Sequence, residues 1–278
     1  MAIKVLKPTT PGRRGMTSQD FSKVTTNKPL KSLTVVKRRT NGRNNQGRIT
    51  IRHRGGGAKR FYRIVNFKQL DFEKATIEAI EYDPNRSANI ARIKDQDNKY
   101  HYVIASGSMK VGQLISVGEK SAIEEGNRLP LKSIPLGSFI YAVELQPGRG
   151  AQMVRSAGVK AQLTAREGDY AQVKLPSGEV RMVNVNCMAS IGTVSNEQHQ
   201  NVKIGSAGRR RNLGRRPQVR GKVMNAVDHP NGGGDGGAHG IGGQPKTPWG
   251  KPTLGYRTRR NKRTTKFIVK SRHQAKRK

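Results

Sequence analysis

Cysteine is almost absent from this chain. Of 278 residues only Cys187 is one. That excludes an internal disulfide framework and a zinc site built on several thiolates, and leaves Cys187 to be read as a small core residue. Aromatic residues make up 5%, and tryptophan occurs once, as Trp249. No apolar run approaches the roughly 18 residues of a membrane-spanning helix. The opening MAIKVLKPTTPGRRG has no apolar signal-peptide core. Its Pro8, Pro11 and Gly12 would break the amphipathic helix that a transit peptide needs. Acids are scarcest relative to need: 18 Asp and Glu face 54 Lys and Arg, a formal net charge of +36. This excludes most ordinary soluble enzymes and points to a polyanionic partner.

The charge is not spread evenly. Residues 1–60 hold 16 basic residues and one acid, Asp20, and residues 199–278 hold 21 basic residues and two acids, Asp228 and Asp235. The middle, 61–198, is nearly balanced, with 17 basic and 15 acidic residues. Leu, Ile, Val and Phe supply 35 of the 138 residues in the middle, but only 11 of the first 60 and 11 of the last 80. Segments so poor in these residues and so charged bury too little surface to offset their ordering entropy. The expected organisation is a basic extension over 1–60, an OB-like barrel over 61–120, an SH3-like barrel over 121–198 and a basic, Gly-rich extension over 199–278. The extensions read as extended arms that do not fold alone.

The all-β fold class follows from the middle. FYRIVNF (61–67), ATIEAIEY (75–82), ANIARIK (88–94), KYHYVIA (99–105) and VGQLISVG (111–118) are short runs of β-branched and aromatic residues with turn residues between them. Five such strands suit an OB-like barrel. FIYAVEL (139–145), AQMVRSA (151–157), KAQLTARE (160–167), YAQVKL (170–175) and EVRMVNV (179–185) suggest a second, SH3-like barrel, with a hairpin turn at Pro176-Ser177-Gly178.

The arms have the chemistry of phosphate binding. Arg52, His53 and Arg54 precede Gly55, Gly56 and Gly57, and Lys59 and Arg60 follow. Glycines without Cβ let backbone approach packed nucleic acid, and the arginine fork suits phosphate oxygens and stacks on bases. Arg209, Arg210, Arg211, Arg215, Arg216, Arg259 and Arg260 extend the pattern in the second arm. The residues alone leave RNA and DNA both open, and with them a free nucleic-acid chaperone or DNA-compacting protein. A β core with basic arms favours RNA by analogy of folds. Tyr62, Tyr100 and Tyr102 are candidates for base stacking or for core. Enzyme signatures are lacking: there is no GxxxxGK[ST] or GxSxG, and Met153 occupies the third glycine position after Gly148-Arg149-Gly150. Asp228-His229 has the residue types of a general base and its orienting carboxylate, although adjacent residues rarely reach that geometry. His229 with His239, or Asp228 with Asp235, are weak candidates for a metal. The expectation is no catalytic residue and no protein metal site.

Several longer motifs are more specific. GRNNQGRITIRHRGGGAKR (42–60), EYDPNRSANIARI (81–93), LPLKSIPLGS (129–138), VRSAG (154–158), RPQVRGKVMNAVDHPNGGGDGG (216–237), TPWG (247–250) and NKRTTKFIV (261–269) occur in order over nearly the whole chain. Together they resemble the universal large-subunit ribosomal protein L-two family, of bacterial or organelle-encoded type. The resemblance implies an OB-like barrel followed by an SH3-like one. It also implies a structural, non-enzymatic role: binding large-subunit rRNA, supporting assembly and subunit association, and shaping the RNA environment of the peptidyl-transferase centre, including tRNA binding. Expected partners are large-subunit rRNA, other ribosomal proteins, the small subunit across its interface and tRNA. No membrane is among them. No cofactor is expected beyond structural Mg²⁺ ions bound with the rRNA. The expected location is the ribosome in the cytoplasm, with an organelle matrix or stroma as the alternative.

By position, the resemblance places rRNA contacts at Arg52 to Gly57, Lys59 and Arg60, and at Arg86, Ser87 and Asn89. It places others at Arg220, Gly221, Met224, Asn225, Asp228, His229, Gly232, Gly233 and Gly234, with Trp249, Lys262 and Arg263 in the last motifs. Asn231 stands where the family usually has a second His, which weakens a paired-imidazole or metal role for that loop. Asp235, Lys222 and Ala226 are further departures.

Overall fold

A computed structural model describes residues 3–234 and 243–274. It divides into two compact units. One comprises residues 1–38, 59–206 and 264–278; the other comprises 39–58 and 207–263.

The first unit is almost entirely β. A short pair, β1 (Lys4–Val5) and β2 (Thr17–Ser18), lies near the start. Next, β3 (Thr34–Val36) pairs antiparallel with β4 (Phe61–Arg63). The sheet of the OB-like barrel contains β5 (Lys74–Glu81), β6 (Ile90–Asp95), β7 (Tyr100–Ile104) and β8 (Leu114–Ser116), in the antiparallel order β7-β6-β5-β8. β5 alternates exposed and buried residues from Lys74 to Ile77, as the pleat requires of a strand with one wet face. A bulge between Ile77 and Ala79 then shifts the register. Phe72, Ile77, Ile93, Met109 and Ile115 fill the space beneath.

The SH3-like part is built from β9 (Arg128–Pro130), β10 (Phe139–Tyr141), β11 (Ala161–Glu167), β12 (Tyr170–Lys174), β13 (Val180–Asn184) and β14 (Met188–Ile191). The hairpin expected at residues 176–178 joins β12 to β13. Residues 151–157, read as a strand from their apolar content, contribute only a bridge between Met153 and Val143. The positive φ of Val154 bends this stretch out of strand geometry. A seventh strand, β15 (Ile268–Lys270), arrives from the second basic arm and pairs with β13. Leu131, Ile134, Ile140, Leu163, Val173 and Cys187 lie in the core of this sheet.

The two barrels are not independent. Ile90, Tyr102 and Ile104 of the first pack with Tyr141, Ala142 and Val194 of the second in one shared cluster. The first arm is drawn onto it too. Leu30 and Leu33 pack against the cluster, and Thr25 N–H donates to Ile80 O at 2.9 Å. Tyr102, a candidate for base stacking by sequence, is buried here. Its hydroxyl accepts from Leu30 N–H and donates to Glu81, both at 2.8 Å. Burial, reinforced by Glu81, pushes the Tyr102 hydroxyl up to about 12. Burial also raises Glu81, against the Tyr102 hydrogen bond and the Arg92 guanidinium 3.2 Å away.

Candidate nucleic-acid interface

The second unit is the interface candidate, and its composition sets the terms. Its two segments carry 19 Lys and Arg against two acids, Asp228 and Asp235. Such a cluster repels itself unless counter-charge arrives. Asp235 and His239, two of the metal-ligand candidates from sequence, lie outside the described residues.

Backbone pairing between the two arms builds the unit. Gly55 N–H donates to Gly214 O at 3.0 Å, Ala58 N–H to Asn212 O at 2.9 Å and Arg216 N–H to His53 O at 3.1 Å. Arg54 and Arg215 face each other across this junction as an antiparallel bridge. A Cβ on Gly57 would lie 2.9 Å from Gly214 Cα, so the approach requires glycine. The short helix α1 (Ala207–Asn212) brings Arg209, Arg210 and Arg211 to this junction in its last turn, where the helix dipole favours cations. Parts of both arms fold on each other because each supplies the hydrogen-bond partners that the other lacks.

The loop from Arg220 to Gly234 closes on itself. Asp228 N–H and His229 N–H both donate to Asn225 O, Gly232 N–H to His229 O at 2.8 Å, and Gly233 N–H to Met224 O at 3.0 Å. His229 is 8% exposed, its ring lying against Gly221 so closely that a Cβ there would meet Cε1 at 2.5 Å. Its Nδ1 accepts from Asn231 N–H at 3.0 Å. That nitrogen therefore faces a backbone donor rather than the Asp228 carboxylate, and Asp228 itself is exposed. The arrangement is that of a packed loop histidine.

A hairpin follows at residues 244–254, with Trp249 at its tip. Thr247 N–H donates to Lys251 O at 2.7 Å and Gly250 N–H to Thr247 O at 2.9 Å. The Arg52 guanidinium lies over the Trp249 ring, 5.3 Å from its centroid. Arg259, Arg260, Lys262 and Arg263 lie in an exposed stretch beyond it.

The remaining candidates lie in the first unit. Arg60 donates to Pro84 O at 2.8 Å; Lys59, beside it, is exposed. Arg86 Nε pairs with Asp83 at 2.6 Å. Ser87 Oγ accepts from Ala157 N–H, and Asn89 is buried, its side chain accepting from Gln19 at 3.3 Å. Ser87 thus ties the barrels together, as does Asn89, whose N–H donates to Ser195 Oγ at 3.1 Å. Arg155 is not among the residues expected from sequence; its guanidinium lies 4.7 Å from the Phe67 centroid, with Arg86 at 5.6 Å from the same ring. Its one sequence signal was its place in VRSAG.

A β-barrel core joined to a basic, nearly acid-free unit made from two arms defines a nucleic-acid-binding protein. Residues 30–117 match the model of the Ribosomal Proteins L2, RNA binding N-terminal domain, and residues 124–250 match that of the Ribosomal Proteins L2, C-terminal domain. The chain belongs to the ribosomal protein L2 family. It is a structural ribosomal protein of the large subunit that binds rRNA and serves translation.

Proposed function

We propose that the barrels anchor the protein on large-subunit rRNA early in assembly, while the arm-built unit fills an RNA crevice near the peptidyl-transferase centre. From there it supports subunit association and tRNA binding, with chemistry left to RNA. The observation that carries this reading is the second unit's 19 cations against two acids. Backbone pairing holds these cations together, and only a dense polyanion relieves their repulsion. Its contacts are Arg52 to Gly57, the arginines of α1, Arg215, Arg216 and the 220–234 loop, with the exposed cations from Arg259 to Arg263. In the first unit, the exposed Lys59 and the half-buried Arg60 and Arg86 are contacts of their own. Ions at this interface are Mg²⁺ held jointly with phosphates, and the setting is the ribosome of the cytoplasm.

The test is sedimentation of gently lysed cells at low salt. The chain is expected with large subunits and with their early precursors. Recovery of the chain free of both would refute the reading. Equal affinity for duplex DNA and for a large-subunit rRNA fragment at about 0.15 M salt would favour a general nucleic-acid chaperone instead.

A further inference from the structure

Trp249 is the only tryptophan in the chain, and it is 75% exposed. Its exposure is built in. Besides the bonds already given, Thr253 donates to Pro245 O through both N–H and Oγ1 at 2.9 Å, and Gln244 Nε2 donates to Leu254 O at 2.7 Å. The hairpin therefore holds most of a large apolar ring out in water, and among the described residues Arg52 is its ring partner. Arg52, which comes from the opposite arm, lies over the ring. Its own loop is pinned where Gly42 O accepts from Thr50 N–H at 2.9 Å and Ile51 N–H at 3.1 Å. With one face under a guanidinium and most of its surface accessible, the indole offers an open second face.

The chemistry of that face selects its occupant. Aromatic faces bind other flat π-systems, and every nucleobase has one. A base in a helix is already stacked on both sides, so only an unpaired or bulged base can supply a free face. A basic protein segment is disfavoured, since Asp228 is the one acid among the unit's described residues and the hairpin carries Lys246 and Lys251. We propose that Trp249, backed by Arg52, is the stacking site for one unpaired nucleobase of the bound RNA. This rests on the rRNA-contact reading above and names what that contact recognises.

The single tryptophan makes the test site-specific. The full chain is titrated with a single-stranded oligoribonucleotide, a length-matched abasic oligonucleotide and an RNA duplex, while indole emission and affinity are followed. The single strand should quench the emission; the abasic strand and the duplex should bind through phosphates and leave it unchanged. Trp249→Ala should weaken single-strand binding by about 5- to 150-fold with no change for the abasic strand, and Trp249→Phe should retain most of it. Equal quenching by the abasic strand, or single-strand affinity unchanged in Trp249→Ala, would overturn the proposal. So would quenching by a Lys/Arg-rich peptide under conditions where the oligoribonucleotide gives none. If parent and Trp249→Ala bind an rRNA fragment equally well and without quenching, stacking alone is wrong. If the parent fails to bind that fragment, the wider rRNA reading fails with it.

Discussion

Arg128 and Glu144 are both fully buried, their charged groups 3.1 Å apart. Two such charges lose far more hydration than one contact returns, so the pair persists because other bonds support it, although Arg128 Nε has no partner among the described residues. Arg128 donates to Ala142 O, and Glu144 accepts from the N–H groups of Gly148, Gly150 and Met188. The carboxylate thus fixes the loop carrying Arg149. Glu144→Ala would leave a buried guanidinium and three donors unmatched. We expect a loss of about 3–5 kcal/mol, read by chemical denaturation of the protein without RNA. At this scale the sequence was least informative. Tyr102 and His229 carried the residue types of a stacking platform and a general base. Burial, the Glu81 and Leu30 partners of the one and the Gly221 backbone against the other turn both into packing elements, and no local pattern announces such neighbours.

At the scale of elements, β15 shows what strand alternation cannot supply. Ile268 to Lys270 read as part of a basic arm, yet they pair with Val180 and Arg181 at the edge of the seven-stranded sheet. Phe267 beside them approaches Tyr170, with ring centroids 6.1 Å apart. Covering an edge satisfies its unpaired backbone groups and protects it from strand addition. Truncation after Arg263 should therefore cost about 1–2 kcal/mol and lower Tm by a few degrees. Faster aggregation on heating should accompany the loss. Scanning calorimetry and light scattering read both; an unchanged Tm would mean that the pairing contributes nothing. The hairpin at 176–178, by contrast, was legible, because a Pro-Ser-Gly turn between two β-branched runs is a local instruction.

Over the whole molecule, the charge belongs mostly to segments outside the barrels, and this has a measurable consequence. Each phosphate contact contributes about 0.7 to the salt slope on a single strand and about 0.9 on a duplex. A chain ending at residue 206 lacks 20 of the 54 basic residues. If ten of these touch phosphate, the slope of log K against log salt should fall by about 7 to 9. The barrels should still melt cooperatively in circular dichroism, because their shared cluster lies within the residues kept. An unchanged slope would move the interface onto the barrels.

The sequence by itself determined the β class, the approximate strand positions, the partition of charge and, through ordered motifs, the family. These are properties of contiguous residues: alternation, composition and spacing survive in a linear reading. Only the tertiary structure decided that residues 39–58 and 207–263 form one unit, that β15 closes a distant sheet edge, that His229 is packed into its loop and that Arg52 lies over Trp249. The histidine depends on how its own loop closes, and the others on pairings between segments that neither segment's own pattern encodes. The free energy of such a pairing comes from hydrogen bonds and buried surface that exist only once both strands of chain are in place.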